Sequence, residues 1–359
     1  MDCDAKVAWP AAPALLKLGR RALAVMLFAV AFCFPAAANT SIFANAGTTC
    51  TTINVCSQLS YFGVLTGTSD TLTFNGKVTV GNQDGVGVQT GSTMKVVGTG
   101  ASANTFGNII DFADPLHATT STTCAAVGGT PNPNLCGNGT INGVSTTAST
   151  LPLQNNTLVT QAGTQLTNIE SYLGGVTGTS TTFLTTGSIA NIEGGTNYNS
   201  TTHVALYKNT AAYAQTGAIT IGCTGVNCAN DLVIIQLTSG TTSTFNSSIT
   251  LTGGLTSDQV IFYFSAAGLT INPTSAAATI NADFFLTASQ LATVGGTAGA
   301  SKSVDFEGRI YGSSILFNNK GVSIQDVGEI PEPGTWAMMA GGLGLAIWLR
   351  RKRAVRKDA

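Results

Sequence analysis

The chain has 359 residues, with 16 lysines and arginines against 17 aspartates and glutamates, for a formal net charge of −1. Charged residues make up only 9% of it and hydrophobic residues 43%, and the polar remainder is rich in Thr, Ser, Asn and its 42 glycines. No basic stripe is present, which argues against a nucleic-acid partner, and the recurring apolar runs argue against full disorder.

The N-terminus has the three parts of an export signal in order. Lys17, Arg20 and Arg21 supply positive charge, Ala22 to Cys33 is an apolar run, and Pro35 precedes the small-residue stretch Ala36-Ala37-Ala38. The run is shorter than the ~20 residues that cross a bilayer. The pattern therefore predicts a signal peptide over 1–38, cut by signal peptidase at the site marked by Ala36 and Ala38.

Residues 39–329 form the predicted exported body. It holds six basic and thirteen acidic residues, a net of −7, so the near-neutral whole-chain charge hides a mildly acidic domain. Six cysteines fall in near pairs, Cys50/Cys56, Cys124/Cys136 and Cys223/Cys228. Six cysteines allow about 15 connectivities. Their short spacing favours three local disulfides in an oxidising compartment. No C-x-x-C motif occurs, and the chain has only two histidines, so no metal site is expected.

The body reads as mainly β. Thr71 to Val80 alternates around a glycine, as a hairpin or two successive strands, and Met94–Val97 is a further strand. Asn108–Phe112 is ambiguous, and 118–147 reads as a stapled surface loop. One segment breaks the pattern. Leu158, Ala162, Leu166, Ile169 and Leu173 lie on one helical face ahead of Gly174-Gly175, which predicts a helix near 155–173 packed on the β-core. Beyond it, Leu232 to Leu237 is apolar nearly throughout, as in a strand buried on both faces. Strand-like runs continue at 245–251, 259–264, 269–271, 278–286, 304–315 and 321–324. Short strands with Gly, Asn and Ser turns and no intervening helices predict a β-solenoid, with an antiparallel β-sandwich as the alternative.

No nucleophile elbow, phosphate loop, dinucleotide fingerprint or zinc signature occurs, so neither enzyme activity nor a cofactor is expected. Asp305 and Glu307 place two carboxylates on one strand face about 6.6 Å apart. That falls within glycosidase spacing, although a solvated charged face is the favoured reading. Asp111 and Asp114 near His117 are likewise read as a solvated loop rather than a cation site.

The C-terminus carries a second address. Pro331-Glu332-Pro333 leads into an apolar segment, 335–349, and then the basic stop Arg350, Arg351, Lys352 and Arg353, extended by Arg356 and Lys357. The prolines hold the linker extended, and the basic end predicts a cytoplasmic C-terminus on a single membrane helix. This tail, 330–359, closely resembles the PEP-CTERM sorting signal. The resemblance implies recognition by a membrane-embedded exosortase, cleavage near Pro331-Glu332-Pro333, passage through the inner membrane, and delivery to the cell surface or extracellular matrix.

A looser resemblance covers about 100 residues of the body. Gly253 to Phe264, followed by Asp305 to Gly312, is similar to the choice-of-anchor A domains found with such tails, and to ice-binding β-solenoids with a helix alongside. Thr287–Ser303 reads as an insertion between the matching strands. Three functions then compete: a non-enzymatic surface or matrix protein; a module binding ice or exopolysaccharide through a Thr-rich face, hinted at by Thr71/Thr73 and Thr250/Thr252; and a carbohydrate-active enzyme.

Overall fold

The computed structural model describes residue 59 and residues 62–75, 78–80, 85–97, 105–106, 110–112, 135–137 and 156–324, the last stretch less 226, 267, 274–276, 288–289, 296–301 and 319–320. The signal peptide, the cleavage residues Ala36 and Ala38, the sorting tail with its segment 335–349, Cys50, Cys56, Cys124, Asp114 and His117 lie outside the described residues, as do the side chains of Asp111 and Cys136.

The described strands form a coil with three sides, called A, B and C here. Each turn of the chain places one strand on side C, then one on A, then one on B, and each strand pairs in parallel with its counterpart one turn away. Rung 1 is Gly187–Ile189 and Val204–Asn209, with Ala214 bridging to Thr244 on side B. Rung 2 is Ile219–Gly222, Leu232–Leu237 and Ser243–Phe245, and rung 3 is Ile249–Thr252, Val260–Phe264 and Leu269–Ile271. Rung 4 is Ala278–Ile280, Asp283–Leu286 and Leu291–Val294, and rung 5 is Val304–Phe306, Ile310–Tyr311 and Ser314–Phe317.

Rung 6 is assembled from both ends of the body. Its side C strand is Val322–Ile324, but its A and B strands are Phe62–Leu65 and Thr71–Asn75. The early chain then adds rung 7, Val78–Val80, Gly85–Val88 and Thr93–Val97, and rung 8, Thr105–Phe106, Ile110–Phe112 and Leu135–Gly137. Helix α1, Asn156–Gly175, follows rung 8 in sequence and precedes rung 1. Twenty helical residues extend about 30 Å, close to the seven ~4.8 Å steps that separate rung 8 from rung 1. The helix length thus matches the return path along side A.

This architecture rules out the sandwich alternative. Among the described strands, antiparallel pairing is confined to Tyr198–Asn199 against Val204–Asn209. It also rules out the hairpin reading of Thr71–Val80. Thr71–Asn75 lies on side B and Val78–Val80 on side C, each parallel to its neighbours. Nor is 287–303 simply an insertion, because it carries the side B strand of rung 4, Leu291–Val294. A four-residue strand gives too few alternations for its face to be read from sequence.

Side A is buried on both faces, which explains its unbroken apolar strands. Leu232–Leu237, Val260–Phe264 and Asp283–Leu286 are buried at every position. Their inward residues join a core in which Phe262, Phe264 and Phe284 stack, with centroids of the Phe262–Phe284 pair 5.0 Å apart. Their outward residues, Ile234, Ile261, Tyr263 and Phe285 among them, meet Val159, Ala162, Leu166, Ile169 and Leu173 of α1. Those five include four of the residues whose spacing predicted the helix, and each buried large side chain contributes about 1.5–3 kcal/mol. Three glutamines fix the helix in register. Gln165 Oε1 accepts from Leu59 N–H, while the amides of Gln89 and Gln236 donate to the carbonyls of Val159 and Leu173.

Candidate functional site

With side A covered, sides B and C present the exposed faces of the coil. Side B carries a continuous aligned row. Thr244, Thr270, Thr293, Leu316, Thr73 and Lys95 are direct partners across rungs 2 to 7. Two residues earlier on the same face, Leu291 aligns with Ser314, and Thr71 with Thr93. Thr71 N–H donates to Ser314 Oγ at 3.2 Å, and the Thr71 and Thr93 hydroxyls lie 3.4 Å apart. Pleated-sheet geometry sets the positions within a row about 4.8 Å apart and the two rows about 6.6 Å apart. Beyond the rows, at the corner, Asn75 Nδ2 donates to Asn318 Oδ1 at 2.9 Å.

The side B rows are held in place because every second residue is pinned in the core. Leu72, Phe74, Ile315, Phe317, Leu269 and Ile271 point inward with exposures of 0–1%. Threonine is stiff at χ1, so this scaffold holds hydroxyls and methyls in an ordered array. Lys95 is the one charge in the two rows, and Leu291, 49% exposed, is the one large exposed hydrophobic residue among the described residues.

Side C is more polar and more acidic. Ser188, Thr220 and Thr250 align across rungs 1 to 3, and Thr279, Asp305, Ser323, Thr79 and Thr105 across rungs 4 to 8. Asp305 is exposed on this face, Phe306 between the two acids turns into the core, and Glu307 is half-buried. Both carboxylates therefore lie on an open face. The two threonine pairs noticed in sequence separate: Thr71 and Thr73 belong to side B, Thr250 and Thr252 to side C.

The corners hold the ionisable side chains that the sequence did not bring together. At the turn from side C to side A, Arg309 is fully buried. Its Nη1 lies 2.6 Å from Asp258 and 3.7 Å from Asp283, and Asp283 Oδ1 also accepts the Arg309 N–H. One guanidinium thus joins rungs 3, 4 and 5. At the same corner in rung 2, buried Asp231 accepts from the Tyr198 hydroxyl at 2.7 Å and lies 3.1 Å from His203 Nδ1. Burial first, then the Asp231 carboxylate, pushes the Tyr198 phenol well above its usual range. The Cys223–Cys228 disulfide expected from sequence closes a short loop here, with its Cα atoms 5.6 Å apart. Glu193 lies against that loop and accepts from Asn227 N–H at 3.1 Å. At the turn from A to B, burial and the nearby Asp70 charge push Glu170 of α1 up to about 7.

Among the described residues, no helix is long and apolar enough to cross a membrane. No curated protein matches the chain. Among solved structures it is similar to an ice-binding protein from an Arctic yeast, with 12% identity over 76% of this chain and 94% of the other and a TM-score of 0.40. An ice-binding protein from an Antarctic biological consortium gives 15%, 74%, 89% and 0.42 in the same order. The DUF3494 domain of a Shewanella frigidimarina ice-binding protein gives 12%, 75%, 96% and 0.38. The coil described above rests on its own strand pairing. The tail is identified by sequence: residues 329–354 match the family described as the PEP-CTERM protein-sorting motif, which marks an exported protein sorted by an exosortase.

Proposed function

We propose that the chain is a non-enzymatic surface or extracellular-matrix protein whose side B is its contact face for an ordered, largely uncharged surface, ice or exopolysaccharide. In this reading signal peptidase removes 1–38. The helix 335–349 holds the precursor in the inner membrane, with Arg350, Arg351, Lys352 and Arg353 as the stop, and exosortase cuts near Pro331-Glu332-Pro333.

The observation that carries the contact face is the aligned side B row from Thr244 to Thr73. A rigid array loses little conformational entropy on meeting a surface. Its mixture of hydroxyls and methyls suits ordered water or sugar hydroxyls. The rows hold no aromatic ring, so a sugar is held there by hydroxyl contacts rather than by stacking.

Two experiments test the reading. Cell fractionation of wild type, a Pro331-Glu332-Pro333→Ala variant and a strain lacking exosortase should show surface delivery only in the first; identical distributions reject the sorting step. For the face, Thr270→Tyr with Thr293→Tyr should abolish partition into growing ice or retention on exopolysaccharide, whereas Thr220→Tyr on side C should not. Equal loss from both faces, or loss from neither, rejects side B as the contact surface.

A further inference from the structure

The corner around Cys223 holds more chemistry than a staple requires. The sulfurs of Cys223 and Cys228 and a carboxylate oxygen of Glu193 all lie within 4.8 Å of one another, the one such group among the described residues. Glu193 Oε1 is 3.8 Å from Cys223 Sγ, and Asp231 Oδ2 is 3.7 Å from the same sulfur. Asp231 is fully buried, and its other oxygen is engaged by Tyr198 and His203. Yet a disulfide sulfur carries no proton. In the oxidised protein Asp231 Oδ2 therefore faces an atom that cannot donate to it, and a buried carboxylate oxygen left so is costly.

Reduction to the metal-free dithiol resolves that mismatch. The Cys223 thiol then has Asp231 Oδ2 or Glu193 Oε1 to donate to, and the Cys228 thiol has the Gly225 carbonyl at 3.1 Å. The fold also holds Cys223 and Glu193 without help from the S–S bond. Cys223 follows the rung 2 strand Ile219–Gly222, and its N–H donates to Thr252 O in rung 3. Glu193 sits in a short helical turn whose Asn191 cap accepts from both Glu193 N–H and Thr224 N–H. Gly225 passes directly over the Glu193 carboxylate, where any Cβ would collide with it. Cys228 and Glu193 are half-buried, leaving a path to solvent.

We propose that this corner is a redox-gated site for a soft divalent metal ion, closed as a disulfide when oxidised and ligated by Cys223, Cys228 and Glu193 when reduced. Two thiolates and one carboxylate in this arrangement fit zinc or cadmium, with water completing a tetrahedron. The electron balance is simple. A dithiol reductant gives two electrons and two protons, the S–S bond breaks, two thiols form, and the reductant becomes a cyclic disulfide. Metal binding then releases both thiol protons to solvent.

The test uses the full chain, reduced anaerobically with a dithiol, freed of reductant and titrated with Co2+ as a spectroscopic stand-in. The Cys223→Ser/Cys228→Ser double variant, treated identically, subtracts uptake by the other cysteines. Wild type should bind one more Co2+ than the double variant, with thiolate-to-cobalt charge-transfer absorption. Oxidised wild type should lack that extra equivalent, and reduced Glu193→Gln should bind it at least ten-fold more weakly. Equal stoichiometry in wild type and double variant overturns the site, and an unchanged affinity in Glu193→Gln overturns the three-ligand arrangement.

Discussion

Replacing Glu170 with glutamine should stabilise the protein at neutral pH and leave it nearly unchanged in acid. Glu170 lies on α1 beside the turn from side A to side B, where a Cβ on Gly312 would come within 3.1 Å of its Oε1. Burial is the larger cause of its displaced protonation and the Asp70 charge the smaller, together raising it from 4.5 to about 7. Asp70 is itself raised by burial, against the lowering effect of its hydrogen bond from Ser314, and its Oδ2 is buried without a partner. Two carboxylates thus share one poorly solvated corner.

The pH window follows from those values. Below the unfolded value of 4.5, Glu170 is protonated in both states and costs nothing. Between 4.5 and about 7 the unfolded chain releases the proton and the folded chain keeps it, so stability falls as pH rises. Above that window the whole cost is present, on the order of 3 kcal/mol at about 1.4 kcal/mol per pH unit. Glutamine has the same size and no charge to desolvate. The stability difference between Glu170→Gln and wild type should therefore grow from near zero at about pH 4 to roughly 3 kcal/mol at about pH 8. Urea titrations of both proteins across that range measure it. A difference that does not change with pH refutes the reasoning, because a purely steric or hydrogen-bonding effect has no such slope. Asp70→Asn adds an internal check: removing the neighbouring charge should shrink the effect without abolishing it.

Other expectations follow from the same contacts. Arg309→Met leaves Asp258 and Asp283 without their shared guanidinium and should cost about 3–5 kcal/mol in urea unfolding. Phe262→Ala opens a cavity where Phe183, Phe245 and Phe284 meet, and should cost about 3–5 kcal/mol by the same measurement. Gln236→Leu strips a donor from the carbonyls of Leu173 and Val176; hydrogen exchange should speed up over the last turn of α1 and stability should drop by about 1–3 kcal/mol. Thr270→Tyr, by contrast, should leave stability within about 0.5 kcal/mol, so any loss of surface binding in that variant reports on the face.

The sequence carried the parts of the fold that depend on local pattern. Four apolar residues at helical spacing became the buried stripe of α1. The unbroken Leu232–Leu237 run is a strand covered on both sides, by the aromatic core and by the helix. The side B rows were not legible, because their regularity lies across rungs rather than along the chain. Thr244, Thr270 and Thr293 stand 26 and 23 residues apart, since corner lengths vary between rungs, so no repeat period emerges. The same cause hid the C-to-A corner. Glu193 and His203 belong to the corner of rung 1, Cys223 and Asp231 to that of rung 2, and only parallel stacking brings the two corners together. Within the described body, the Cys223/Cys228 pair was legible because both residues belong to one short loop.

Rung 6 shows how this topology ties the two halves of the chain together. Its A and B strands come from residues 62–75 and its C strand from 322–324, so it cannot form until nearly the whole body has been made. The contacts that close it are among the most distant in sequence. Tyr311 donates to Leu59 O across 252 positions, and Thr71 to Ser314 Oγ across 243. Contacts of this separation slow folding, because a long loop must be closed before any pairing stabilises it. Rungs 1 to 5 have no such debt: each strand finds its partner 22 to 32 residues away, one turn along. The later half of the chain therefore presents a ready parallel edge, Ile310–Tyr311 on side A and Ser314–Phe317 on side B, on which Phe62–Leu65 and Thr71–Asn75 dock. The last described strand, Val322–Ile324, ends ahead of Pro331-Glu332-Pro333, so the proposed cleavage there would remove none of the described strands.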